Sequence, residues 1–203
     1  MSRKTLPQIL ITLCLLITLS GTLQAQTTDN SQADEMFAYV KSRVPIAKRL
    51  QVDPKEIRTL SGYYTDVPPG VNSLHANDLY LFPDQTYFYV EWTDVFPRTI
   101  TDKGEWGYNN GLIELHSDKS APRGETRRNG KLLPLYIEKD GKQLVLLLGA
   151  SGDFAYFKEK AETNDEFMLL LCAYNRQEDF SSKDYTKIKA EIYKNCWRQE
   201  SVK

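Results

Sequence analysis

Between residues 62 and 149 the chain alternates apolar and polar residues with a period of two, and tight-turn residues interrupt the alternation at short intervals. A period of two indicates β-strands, because successive side chains of a strand point to opposite faces of the sheet. Six such segments occur, at 77–82, 86–92, 100–108, 111–117, 132–139 and 142–149. The pairs Asn110-Gly111 and Asp140-Gly141 accept the positive φ angles of two-residue hairpin turns. Because such short connections join antiparallel strands, the pattern predicts a curved antiparallel β-meander, which becomes barrel-like if its edges meet.

Helical spacing is found on both sides of this meander. Before it, apolar residues recur at helical spacing from about Ala33 to Val44, where Pro45 is expected to end the helix. After it, the spacing of Phe154 and Phe157 predicts a short helix that starts at Asp153. The last segment is the clearest, because four residues share one face of a C-terminal helix that would pack on the sheet: Tyr185, Ile188, Ile192 and Cys196. Sheet and helices together predict an α+β fold.

The first 25 residues have the pattern of a secretory signal peptide. Arg3 and Lys4 precede the apolar run 9–19, and small and polar residues follow up to Ala25. The alternative, a membrane anchor, needs about 20 apolar residues, which is more than this run offers. A lipoprotein anchor at Cys14 would need a small residue before the cysteine, where Leu13 stands. We therefore expect export to the periplasm or the extracellular space, with no transmembrane segment after cleavage.

The remaining chain divides into a polar lead-in with a helical segment, residues 26–60, and one antiparallel-sheet domain with its C-terminal helix, residues 61–203. The whole sequence carries 26 basic and 27 acidic residues. So weak and mixed a charge gives no electrostatic reason to expect nucleic acid as a partner.

Cys172 and Cys196 are the two cysteines that remain after the leader. An even pair in an exported chain predicts a disulfide, and two separate buried thiols are the alternative. The segment around the first of them, 167–176, is compatible with a helix or a strand, although its composition suits a helix. A strand there, followed by the C-terminal helix, would place the two sulfurs at similar distances from the turn that joins the two elements. A disulfide would therefore favour the strand.

Residues that support catalysis are sparse. His75 and His116 have no metal-ligand spacing, and Ser151 lies in what reads as a plain turn between glycines. We therefore predict no catalytic residue, no metal and no cofactor. The one enzymatic alternative is a hydrolase that uses two carboxylates facing each other across the 100–117 hairpin, Glu105 and Glu114.

Aromatic residues crowd the first half of the meander: Tyr63, Tyr64, Tyr80, Tyr87, Phe88, Tyr89, Trp92, Trp106 and Tyr108. Tyrosine and tryptophan on a sheet supply contact area together with a polar tip, so they suit the wall of a ligand pocket. The candidate ligand-binding residues are Tyr87, Tyr89, Trp92 and Trp106. The alternative is that these aromatic residues only fill the core, as good strand formers do. Alternation on 86–92 favours burial of Phe88, Val90 and Trp92.

Three stretches, "LSGYY", "LYLFPDQTYFYVEW" and "DKGEWGYNNGLIELHS", carry a resemblance to a known kind of protein. Over residues 60–118 the chain resembles small exported bacterial proteins with a lipocalin-like or related β-meander domain of unknown function. It departs from their pattern at Gln85, where the turn normally carries glycine, and in having a helix before the first strand.

The resemblance implies an architecture rather than an activity. Together with the export signal and the scarcity of catalytic residues, it leads us to expect a non-enzymatic binding or interaction domain. Its partner would be a small apolar ligand or another envelope protein. The alternatives are the carboxylate hydrolase and a structural accessory of a cell-envelope assembly.

Overall fold

The computed structural model describes residues 30–118, 130–139 and 141–198. The predicted signal peptide and Asp140 lie outside these residues. The account below concerns the compact unit that begins at Ala33. The predicted N-terminal helix, α1, runs over Asn30–Arg43. A 3-10 helix follows at Pro54–Leu60, capped by Asp53, whose side chain accepts a hydrogen bond from the backbone N–H of Lys55 at 2.8 Å.

All six predicted strands are present, and the described residues contain four more. The strands are β1 (Lys48–Arg49), β2 (Gly62–Thr65), β3 (His75–Leu81), β4 (Thr86–Thr93), β5 (Thr99–Asn109), β6 (Leu112–Ser117), β7 (Lys131–Lys139), β8 (Lys142–Gly149), β9 (Ala173–Asp179) and β10 (Trp197–Arg198). The helices after β8 are α2 (Gly152–Lys160), α3 (Glu166–Cys172) and α4 (Tyr185–Asn195). Asn110 and Gly111 have φ angles of 50° and 80°, as the predicted two-residue turn requires.

Strands β2 to β9 close into an antiparallel barrel of eight strands. The hydrogen-bonded order runs β7-β6-β5-β4-β3-β2-β9-β8, and β8 pairs back with β7. Strand β1 adds to β7, and β10 pairs in parallel with the start of β5. The predicted antiparallel meander is therefore confirmed, and its edges meet. The fold is mostly β, so the predicted α+β class fits only in part.

Large side chains fill the interior of the barrel. Tyr64, Tyr87 and Trp106 are at most 2% exposed and pack together with aliphatic residues of neighbouring strands. Their polar atoms are satisfied inside. The Trp106 indole N–H donates to the Phe82 carbonyl at 3.0 Å, and the Tyr87 hydroxyl donates to the carboxylate of Asp102 at 2.8 Å. The interior is a packed core rather than an empty tube.

Helices cover two parts of the outer wall. Helices α1, α2 and α3 pack on β7 and β8, and the two buried phenylalanines of α2 are those that its spacing predicted, Phe154 and Phe157. Helix α4 packs on the outer side of β3 to β5 through Tyr185, Ile188 and Ile192, so the predicted C-terminal helix is confirmed. Because helices bury the outer wall as well, Phe88 and Val90 are buried outside the barrel while Tyr87 and Tyr89 point inside. The predicted burial of Phe88 and Val90 is confirmed, Trp92 is half-buried, and the opposite face of the strand is buried as well.

The predicted disulfide between Cys172 and Cys196 is not formed, and both cysteines are free. The segment 167–176 is neither all strand nor all helix: α3 ends at Cys172 and β9 begins at Ala173. Cys172 therefore packs with the cluster that covers β7 and β8, whereas Cys196 belongs to the cluster under α4. The prediction of a disulfide was wrong because the two thiols lie on different parts of the barrel wall.

We expect both thiols to be available for labelling without reduction. A thiol reagent applied to protein unfolded without reductant should modify Cys172 and Cys196 together, and the melting temperature should be the same with and without reductant. A Cys172→Ala variant should lose one label. Labelling that appears only after reduction would contradict this arrangement.

Candidate ligand site at one end of the barrel

The two ends of the barrel differ. At one end, which we call the closed end, the segment before β2 packs against the interior cluster through Leu50, Val52, Ile57 and Leu60. At the other, which we call the open end, β2 and β3 are joined by the loop 66–74, and helices α2 and α3 connect β8 to β9. The ends of β2 and β8 and the starts of β3 and β9 lie at this same end of the barrel. The connections between them therefore surround one opening.

A cavity of about 650 Å3 lies at this open end, and we call it the mouth cavity. Its wall comes from the β2–β3 loop with the first residues of β3, from the start of α2 and from the end of α3. Tyr89 of β4 and Tyr174 of β9 belong both to this wall and to the interior cluster, so they form the floor. The volume lies in the range of sites that hold small organic molecules.

The floor is a pair of hydrogen-bonded tyrosines. The hydroxyl oxygens of Tyr89 and Tyr174 are 3.1 Å apart, and the rings meet edge to face with centroids separated by 6.4 Å. Burial, followed by the neighbouring Tyr89 hydroxyl, raises the pKa of Tyr174 well above its usual range. The hydroxyl of Tyr174 therefore stays protonated at neutral pH, which leaves the pair neutral and able to donate and accept hydrogen bonds.

Two carboxyl groups stand in the wall above the floor. Asp66 accepts hydrogen bonds from the backbone N–H of Asn77 at 2.9 Å and from its side-chain amide at 2.5 Å, which holds the start of the loop against β3. Asp153, in the first turn of α2, also faces the cavity. Asp153 is exposed, but partial desolvation of its carboxyl raises its pKa, and the charge of Asp66 raises it further. The two acids are thus close enough to repel each other.

The thiol of Cys172 completes the polar lining. Burial, together with the charges of Asp153 and Asp165, raises the pKa of Cys172 to about 11. The thiol is therefore protonated at neutral pH and is a poor nucleophile. Among the described residues that line the cavity, none is a lysine or an arginine, and the only imidazole is that of His75.

The four predicted ligand-binding residues separate in the structure. Tyr89 lies on the floor of the mouth cavity. Tyr87 and Trp106 lie deeper, in the packed interior. Trp92 is on the outer wall, where the Arg98 guanidinium stands 6.0 Å from the centre of its ring. The structure thus brings one of the four to the cavity.

The other sequence candidates are also dispersed. Glu105 borders a second cavity, of about 490 Å3, on the outer side of β4 and β5, whereas Glu114 lies outside it in an ion pair with Lys131 at 3.3 Å. His116 is exposed beside Glu114. His75 and Ser151, for which we predicted no role, both line the mouth cavity.

Sequence reasoning missed Asp66, Asp153 and Tyr174. A usable signal was present, because Asp66 directly follows a strand, Tyr174 lies near the start of one, and Asp153 follows β8 within a few residues. In an antiparallel barrel, residues at alternate strand ends share one opening. Applying that rule requires the position of β9, and the start of β9 lies in the segment 167–176, whose sequence left helix and strand open.

No group of three or more metal-binding side chains occurs in the parts of the chain that the structure describes. None of the described helices is both long enough and apolar enough to cross a membrane. No protein-family model, curated protein or solved structure matches the chain.

Proposed function

We propose that this protein is an exported, non-enzymatic binding protein that holds a small molecule in the mouth cavity. The observation that carries the proposal is the convergence of polar groups from separate segments on one cavity of about 650 Å3. Asp66, Asp153 and the two floor tyrosines come from four different parts of the chain. Such convergence of a few polar groups in a cleft is typical of ligand sites.

The rim of the cavity supports a ligand that is partly apolar. Val71, Tyr156 and Leu171 line the cavity and are each more than 40% exposed. Exposed apolar side chains around a cleft lose contact with water when a ligand covers them, and this favours binding. The interior below the floor is packed, so the ligand would sit at the mouth rather than deep in the barrel.

The test is to identify what the protein carries. Native mass spectrometry of protein purified from its own source should show a bound small molecule. A Gly152→Trp variant should lose that molecule, because Gly152 borders the cavity and an added Cβ there meets no atom within 4 Å, so a bulky side chain can occupy the opening. The bound fraction in the mass spectrum measures the effect.

The matched control is Gly107→Trp, which places the same side chain on β5. Gly107 also has open space around an added Cβ, and it does not line the mouth cavity. This variant should keep the ligand. Recovery of bare protein from the parent chain, or equal loss in both variants, would count against a binding site at the mouth.

A second candidate function is hydrolysis by two carboxyl groups, and one observation favours it. The pair is not Glu105 and Glu114 but Asp66 and Asp153, which face the same cavity. The pKa of Asp153 is raised above its ordinary value, and a carboxyl with a raised pKa beside a second carboxyl is the arrangement that general acid–base hydrolysis uses. Turnover of a panel of nitrophenyl glycosides and esters, lost in Asp153→Ala, would establish this function in place of simple binding.

A further inference from the structure

The charges around the mouth cavity are unbalanced. Asp66 and Asp153 contribute two carboxyl groups, and none of the described lining residues is a lysine or an arginine. The two acids differ in their partners. Both oxygens of Asp66 accept N–H groups of Asn77. Asp153 is exposed, and among the described residues the one charged group that shifts its pKa is Asp66. The described lining residues include no lysine or arginine that could neutralise it.

Two further groups in the lining also resist becoming anions. Burial raises the pKa of Tyr174 and of Cys172, and the charge of Asp153 raises both further. A bound cation would be attracted by the carboxylates of Asp153 and Asp66 and would offset their mutual repulsion. A bound anion would be repelled by both.

The donor and acceptor pattern fits an amine. A protonated primary amine carries three N–H donors and no acceptor. The carboxylate of Asp153 and the hydroxyl oxygens of the floor tyrosines are acceptors, and they lie on two sides of the same cavity. An inorganic cation fits less well, because Ca2+ takes about six to eight oxygen ligands. The described residues contain no group of three or more metal-binding side chains.

We propose that the ligand of the mouth cavity is an organic amine with an apolar body. Its ammonium group binds between Asp153 and the Tyr89–Tyr174 pair, and its body contacts Val71, Tyr156 and Leu171 at the rim. The inference rests on the proposed function, since it names the class of molecule that the same cavity takes.

Three probes of similar size and different charge test the proposal: 2-phenylethylammonium, 2-phenylethanol and phenylacetate. Calorimetric titration of each into the full chain should give the tightest binding for the ammonium, by about tenfold or more over the alcohol, because a hydrogen bond to a charged group is stronger than a neutral one. Phenylacetate should bind most weakly. Equal affinities, or a preference for phenylacetate, would overturn the proposal.

The variant that tests the role of the carboxylate is Asp153→Asn, which removes the charge and keeps the shape. It should weaken binding of the ammonium probe about tenfold and leave the alcohol unchanged. The matched control is Glu159→Gln, which removes one charge from the exposed part of the same helix and should bind all three probes as the parent does. Circular dichroism of each variant confirms that it is folded. An unchanged ammonium affinity in folded Asp153→Asn would refute the inference.

The outcomes separate this inference from the proposed function. Binding of the alcohol or of phenylacetate in preference to the ammonium, abolished by Gly152→Trp, would refute the charge preference and leave the ligand site standing. Stabilisation by calcium or zinc chloride that exceeds the effect of the ammonium probe would replace the amine with a metal ion. Failure of all three probes, with no molecule in the native mass spectrum, would remove both proposals.

Discussion

Trp106→Ala is expected to destabilise the protein more than any other single truncation in the barrel. The indole is 2% exposed, it packs among residues of several strands, and its N–H bonds to the Phe82 carbonyl. Its removal leaves a large void inside a closed sheet that cannot easily collapse, and the Phe82 carbonyl keeps only its hydrogen bond from the backbone N–H of Gln85 at 3.0 Å. We expect a loss of about 4 kcal/mol in the free energy of unfolding, measured by urea denaturation. In a domain of this size that is a fall of about 8–16 °C in melting temperature.

The control for this prediction is Trp197→Ala. The side chain of Trp197 is 69% exposed on the two-residue strand β10, so its truncation should change the free energy of unfolding by no more than about 0.5 kcal/mol. Comparable losses in the two variants would mean that the interior cluster does not carry the stability we assign to it.

The second large effect is expected at a buried carboxylate on the outer wall. The side chain of Asp78 on β3 is fully buried beneath the C-terminal part of the chain, where it accepts hydrogen bonds from Tyr63 at 3.1 Å and from the Arg98 guanidinium at 3.2 Å. Burial raises the pKa of Tyr63 to about 12, so this hydroxyl remains a donor at neutral pH. Burial also raises the pKa of Asp78 above its ordinary value of 3.8, while Arg98 opposes that shift.

Arg98→Met should therefore leave an uncompensated charge in the wall. We expect a loss of about 3 kcal/mol near neutral pH, which urea denaturation would measure. The loss should depend on pH. A carboxyl whose pKa is raised by folding binds protons more tightly in the folded state, so stability falls as the pH rises from the unfolded pKa through the folded one. Without Arg98 the folded pKa rises further, and the difference between variant and parent should grow from acidic to neutral pH.

The double variant Asp78→Asn with Arg98→Met checks the cause. It removes the buried charge, so it should recover most of the stability at neutral pH and lose the pH dependence of the single variant. A single variant whose loss is the same at acidic and neutral pH would instead assign the effect to the packing of Arg98 on Trp92.

The individual strands and helices of this protein could be predicted from local sequence patterns. The closure of the sheet into a barrel could not. Alternation identified the strands from β3 to β8, and the Asn110-Gly111 turn and the faces of α2 and α4 followed from residue spacing. The closing strand, β9, follows the apolar helix α3 without a break, and its sequence, "AYNRQED", is largely polar. Alternation does not reveal this strand, because polar residues such as the buried Asn175 also occupy its covered positions, and its partners, β2 and β8, are distant in the chain.

The inward face of the strands was also beyond a local pattern. On β4, Tyr87 and Tyr89 point inside while Phe88 and Val90 lie under α4, so both faces are apolar. Alternation identifies a buried face only when the opposite face meets water. The predicted disulfide failed for a similar reason. The two thiols lie on different parts of the wall, and this separation follows from the closed barrel and not from the local sequence.

Only part of the candidate site could be predicted from the sequence, for a related reason. Tyr89 stood out because it belongs to an aromatic strand, but Asp66 and Asp153 are single acids among 27, with nothing local to distinguish them. Their relevance depends on which strand ends share an opening. That is a property of the topology and not of any one segment.

Closure of the sheet also has a consequence for how the chain reaches its native state. Gly62 pairs with Asp179, so the last seam joins residues separated by more than half the length of the polypeptide. Contacts this remote form late, because the entropy of the intervening chain must be lost first, and folding is slow as a result. Until the ribosome has released β9, β2 and β8 each lack a neighbour, and nascent molecules are open to self-association along those edges.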